Sequence, residues 1–181
     1  DEVEDLLRKL EESTRRILER VKKLLEDNKR LIDRVRKEVE RLLRDLKRLA
    51  KEIDEEVRRD NDKDRIRDLL REVERLVREV IKRIRKLLEE VKKSIEDSSR
   101  EIKRLAEDDE RLVREVIARV TDERVIRELE ELLKESKKRI DDALRENEKL
   151  LREVKRRIEE AERTIKELLE EIKRKIAEEE K

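Results

Sequence analysis

Nine polar side chains stand where a helical pattern calls for apolar ones, and they are the candidates for chemistry in this sequence. Ser13, Thr14, Asn28, Ser94, Ser98, Ser99, Asp109, Ser136 and Asn147 each share a phase with Leu, Ile, Val or Ala residues 18 positions away. Ser13 aligns with Leu31 and Leu49, Asn28 with Leu10 and Leu46, and Asn147 with Leu129 and Ile165. Hydroxyls and amides at such positions exchange hydrogen bonds across a core. Asp109, in the phase of Val73 and Val91, adds one acid. An acid withdrawn from water is a candidate for a ligand, switching or catalytic role. Hydrolytic chemistry also needs a second acid or base, which this set lacks.

The rest of the composition narrows the chemistry further. The chain has 181 residues with no His, Cys, Gly, Pro, Met, Phe, Tyr or Trp, and Gln is missing too. Ordinary usage would put about 13 Gly and 9 Pro in a chain of this length. Without Cys or His there is no thiol nucleophile, disulfide, imidazole base or structural zinc site. Without Gly there is no phosphate-cradling loop or dinucleotide fingerprint. Carboxylate di-metal bundles use inward Glu with Glu-x-x-His pairs, and no facing Glu pairs occur in the apolar phases here. Neither a metal nor a cofactor is expected. The 55 basic and 54 acidic residues leave a net charge of +1, without the one-sign stripe that nucleic acid requires. Acid-before-base pairs at i,i+4, such as Glu4/Arg8, Glu19/Lys23 and Asp33/Lys37, read as a solvated helix surface.

No apolar run exceeds two or three residues, as at Val116-Ile117-Ala118, so no membrane span is expected. No signal peptide is visible, and Asp1 follows no initiator Met, as after removal of a tag or leader. The expectation is a soluble protein, cytoplasmic on recombinant expression, with no natural location.

The pattern breaks at two places. Asp60-Asn61-Asp62-Lys63-Asp64 carries no apolar residue, and Thr121-Asp122-Glu123 precedes a restart at Val125 and Ile126. Asp62 and Asp122 are the expected N-caps. Three helices follow, over about 2–59, 63–120 and 123–179, within one domain of residues 1–181. Each would run about 85 Å at 1.5 Å per residue. Within each segment the apolar residues repeat every 18 positions, as in Val3, Val21, Val39 and Val57, or Leu132, Leu150 and Leu168. Eighteen residues are five turns of a 3.6-residue helix, so the helices should be nearly straight. Short connections make sequential helices antiparallel. The expected fold is all-α: an antiparallel up-down-up three-helix bundle.

Residue numbers then indicate which polar positions meet. With turns centred near residues 61 and 121, facing residues sum to about 122 between the first and second helices, and to about 242 between the second and third. Asn28, Ser94 and Asn147 satisfy both sums, with Ser98 a turn away. Ser13, Thr14, Asp109 and Ser136 form a second, looser layer, with Ser136 about a turn out of step. An unpartnered buried polar group costs about 1–3 kcal/mol. Only the register that pairs these groups avoids that loss, so the layers specify register. Thr164 falls in the phase of Glu128 and Glu146 and reads as a flank residue.

In its 18-residue apolar repeat, equal segments, restricted alphabet and layered Asn and Ser, the whole chain resembles computationally designed, parametrically generated helical bundles with buried hydrogen-bond networks. Val120-Thr121-Asp122-Glu123-Arg124 is similar to loops of such designs, which often place Pro after the capping Asp, where this chain has Lys63 and Glu123. The resemblance implies an idealised, very stable scaffold with no native activity, and no enzyme. A monomer needing no partner is expected; self-association or a domain swap is the variant to watch. The alternative function is a subunit or helix-binding module of a designed oligomeric or switchable assembly. Against it, the stripe-widening Leu18 and Ile81 give way one or two repeats later to Arg36, Asp54 and Ser99.

Overall fold

The computed structural model describes residues 2–59 and 62–179. Asp1, Asp60, Asn61, Glu180 and Lys181, which include part of the first expected break, lie outside the described residues. Three helices account for nearly all of the rest: α1 (Glu2–Arg59), α2 (Lys63–Arg119) and α3 (Glu123–Glu179). They form an up-down-up bundle, and no strand occurs among the described residues.

The helices form because Leu, Glu, Lys, Arg and Ile fill them without a Gly or Pro to interrupt. Their starts are set by aspartate. Asp62 Oδ1 accepts the Asp64 N–H at 3.1 Å and Asp122 Oδ1 accepts the Arg124 N–H at 3.0 Å. The carbonyls of the same two residues take the first helical bonds, from Ile66 and Ile126. Each cap pairs one of the donors that a helix start would otherwise leave to solvent. At its other end α2 stops at Arg119, one residue short of the expected boundary. The Val120 N–H bonds the Ile117 carbonyl at 3.3 Å, a tightened last turn, and the Val120 side chain is buried. No described residue adopts positive φ, so this reversal is made without the left-handed cap that glycine usually supplies.

The chain packs as two compact units, each built from a stretch of all three helices. One contains residues 1–31 and 92–151, the other residues 32–91 and 152–181. In the first unit, Leu10, Val113, Val116, Val120, Leu129 and Leu133 form one apolar cluster, while Val21, Ile102, Ile140 and Ala143 form another. In the second unit every buried residue among the described ones is apolar, including Val57, Val73, Ile84 and Ile165. The six buried polar residues among the described ones belong to the first unit: Thr14, Asn28, Ser98, Asp109, Ser136 and Asn147. Burying a Leu, Ile or Val side chain contributes about 1.5–3 kcal/mol before chain entropy is subtracted, so these cores carry the stability.

Ion pairs across the helix seams record the register. Between α1 and α2, Arg20 pairs with Glu101, Arg83 with Glu38 and Arg65 with Glu56, so facing numbers sum to 121. Between α2 and α3, Lys137 pairs with Glu110, Arg85 with Glu162 and Lys173 with Glu74, and the sum is 247. The first agrees with the expected 122, whereas the second exceeds the expected 242 by about one helical turn. The first turn of α3 therefore overhangs the end of α2, and Val125 and Ile126 pack against the cluster that holds Val120.

Glu110 accepts hydrogen bonds from Arg114 at 2.8 Å and from Lys137 of α3 at 3.1 Å. These donors, Arg114 first, hold its carboxyl below the usual glutamate value. A lowered folded value means the contribution is present at neutral pH and is lost as pH falls through it. Glu110→Gln is expected to lower stability slightly at pH 7, the deficit closing in acid. Chemical denaturation of both proteins across the acid range checks this; a deficit that persists in acid would assign the loss to packing.

The buried polar layers

Asn28 on α1, Asn147 on α3 and three serines on α2 form one network inside the first unit. The asparagines are almost wholly removed from solvent, at 2% and 0% exposure. The two Asn28 amide hydrogens go to Ser98 Oγ at 2.8 Å and Asn147 Oδ1 at 3.0 Å. Those of Asn147 go to Ser98 Oγ at 3.0 Å and Ser99 Oγ at 3.1 Å. Asn28 Oδ1 accepts the Ser94 hydroxyl at 2.8 Å. Ser98 Oγ, with both lone pairs taken, gives its own hydrogen to the Ile95 carbonyl of its own helix at 3.0 Å. Every amide hydrogen and both amide oxygens are used, which also fixes the orientation of each amide.

Ser94 and Ser98 thus both serve the layer, but in different roles. Ser94 meets Asn28 alone, because the α2–α3 stagger moves Asn147 one turn on, opposite Ser98 and Ser99. Ser99 was not among the layer residues expected from the numbering. Its signal was visible, since it shares a phase with Ile81 and Ile117.

The second set is looser. Thr14 Oγ1 of α1 donates to Asp109 Oδ1 of α2 at 2.8 Å, both residues being buried. Asp109 is 1% exposed and forms no ion pair among the described residues. Ser136 is buried too, but its hydroxyl goes to the Leu132 carbonyl one turn back on α3, at 2.9 Å. The observed α2–α3 stagger makes 109 and 136 nearly level rather than a turn apart. Ser13 is half-buried and takes no part in the cross-helix bonding resolved among the described residues. Thr164 bonds the Glu160 carbonyl of its own helix. No buried side-chain nitrogen or oxygen lacks a partner among the described residues.

This arrangement can hold hydrogens and fix helices. Among the described residues no group of three or more acids is placed to hold a metal ion, and no helix is long and apolar enough to cross a membrane.

Removing one partner and removing both should differ in sign. Asn28→Leu alone strands the Asn147 oxygen and is expected to cost about 1–3 kcal/mol. Asn28→Leu with Asn147→Leu should keep or raise the melting temperature, because Ser98 retains the Ile95 carbonyl and Ser94 and Ser99 are only half-buried. Thr14→Val alone should likewise cost about 1–3 kcal/mol by stripping Asp109 of its hydroxyl. Thr14→Val with Asp109→Leu should recover that loss. Guanidinium denaturation of the two cycles decides; equal losses in singles and doubles would mean that the layers themselves supply stability.

No protein-family model matches the chain, and no curated protein is similar to it in sequence. Among solved structures it is similar to a computationally designed three helix bundle, at 21% identity and a TM-score of 0.60, over 99% of this chain and 90% of the other. That likeness establishes the three-helix-bundle fold.

Proposed function

We propose that this chain is a designed structural scaffold, a self-contained bundle with no natural activity whose buried polar layers specify helix register. The saturated Asn28–Ser94–Ser98–Ser99–Asn147 network carries the reading. Its donors and acceptors match at one stagger of the three helices, and a slip of one residue on any of them would leave buried amides unpaired. The designed origin of the similar solved bundle supports the same view. So does the alphabet, which offers neither thiol nor imidazole for catalysis. The scaffold is a monomer: among the described residues no large apolar side chain is more exposed than Leu112, at 37%, too little surface for a stable interface. It binds neither nucleic acid nor membrane and stays in the cytoplasm when expressed.

The expected result is a single species of 22.3 kDa by light scattering, with one set of amide resonances. The Asn28→Leu, Asn147→Leu protein should keep its helicity but show additional resonances or a second mass, as staggers become interchangeable. A single, unchanged set of resonances in that variant would overturn the register role. Twice the mass in the parent protein would overturn the monomer.

A further inference from the structure

The near-zero net charge conceals one departure from alternating signs, and it lies in the second unit. On α1, Arg34, Lys37, Arg41, Arg44, Arg48 and Lys51 follow one another at steps of three and four residues, the spacing that keeps side chains on one helix face. That face is opposite the one that buries Val35, Val39, Leu46 and Ala50, and all six bases are exposed. The row runs about 25 Å at 1.5 Å per residue. Outward rows on the other helices of this unit alternate in sign, as in Glu72, Arg75, Glu79 and Lys82 on α2, or Glu153, Arg156, Glu160 and Arg163 on α3. Within the basic row, Lys37 pairs with Asp33 at 3.2 Å and Arg48 with Asp45 at 3.4 Å. Arg34, Arg41, Arg44 and Lys51 form no ion pair among the described residues. Acids line both edges, Asp33 and Glu40 on one side and Glu38, Asp45 and Glu52 on the other, so the positive strip is about one helix wide.

We propose that this row is a docking line for an acidic helical peptide, one that presents glutamates at the same alternating steps of three and four. Two helices share one rise per residue, so carboxylates spaced in this way meet the bases rung by rung. Four of the six bases are arginine, whose planar guanidinium takes a carboxylate with two parallel hydrogen bonds. The edge acids choose among anions. A nucleic-acid duplex or an anionic membrane is wider than the strip and would set its own charge against Asp33, Glu40, Asp45 and Glu52. A single helix with one acidic row avoids them. Exposed pairs are individually weak, but a row of one sign raises a summed potential. At about 0.01 M salt the Debye length is about 30 Å, longer than the row, so the six charges act together; at about 1 M it is about 3 Å and they do not. The scaffold role requires no such partner, and the two readings stand or fall separately.

A labelled helical peptide of alanine, lysine and glutamate, with its glutamates at these steps, is titrated into the intact protein and followed by fluorescence anisotropy. A second peptide has the same composition with its glutamates spread around the helix. At low salt the first is expected to bind about tenfold more tightly than the second, and to be released at about 1 M salt. Arg41→Gln with Arg44→Gln and Arg48→Gln should lower its affinity about tenfold. Arg75→Gln with Lys82→Gln and Lys86→Gln, which removes the same charge from α2, should leave it nearly unchanged. Equal affinities for the two peptides would overturn the proposal, as would no binding of either at low salt. Equal losses in the two triple variants would also overturn it, by assigning the binding to total charge. So would tighter binding of a DNA duplex or of phosphatidylserine vesicles than of the first peptide, which would give the row to a broad anion. Should a variant fail to fold, the comparison of the two peptides on the parent protein is decisive by itself.

Discussion

Ser98 accepts two amide hydrogens and passes its own to the Ile95 carbonyl, and the register role proposed for the layer rests on that saturation. Burial of Leu, Ile and Val would tolerate many staggers, because an apolar stripe repeating every five turns matches itself again after a shift. An amide with both hydrogens committed tolerates one. The hydrophobic effect supplies the drive toward a bundle, since it scales with area and has no direction. Hydrogen bonds supply the choice among bundles, since an unpaired buried donor is penalised while a paired one gains little.

The distribution of polar groups gives the two units different characters. The first alternates apolar clusters with polar layers, from the Leu10 and Val116 cluster through Thr14 and Asp109 to Val21 and Ile102, then to the asparagines. Among the described residues of the second, every buried side chain is apolar. In the first unit, surface ion pairs such as Arg20–Glu101 and Lys137–Glu110 agree with the register of the layer, but exposed pairs are worth little and are screened by salt.

Much of the site was legible in the residues. Polar types in apolar phases point to Asn28, Ser98, Asp109 and Asn147, because a helix repeats its faces with fixed arithmetic. Ser99 was equally visible but lay at the stripe's edge, where a serine is at home in water. Ser136 illustrates the opposite difficulty. Its phase announced burial, which the structure gives it, yet its hydroxyl bonds its own helix at Leu132, an option that a serine always has in a helix.

The sequence by itself determined the number of helices, their limits to within a residue, the buried face of each and their alternating direction. Those follow from local rules: caps, periodicity and the shortness of connections. The axial stagger of α3 on α2 was decided by tertiary structure, and with it the pairing of Asn147 with Ser98 and Ser99 rather than Ser94. A three-residue link limits how far apart two helix ends can lie, but not which end stands higher. That height is set where Val120 turns inward and the first turn of α3 closes over it, a packing choice made jointly by residues far apart in the chain.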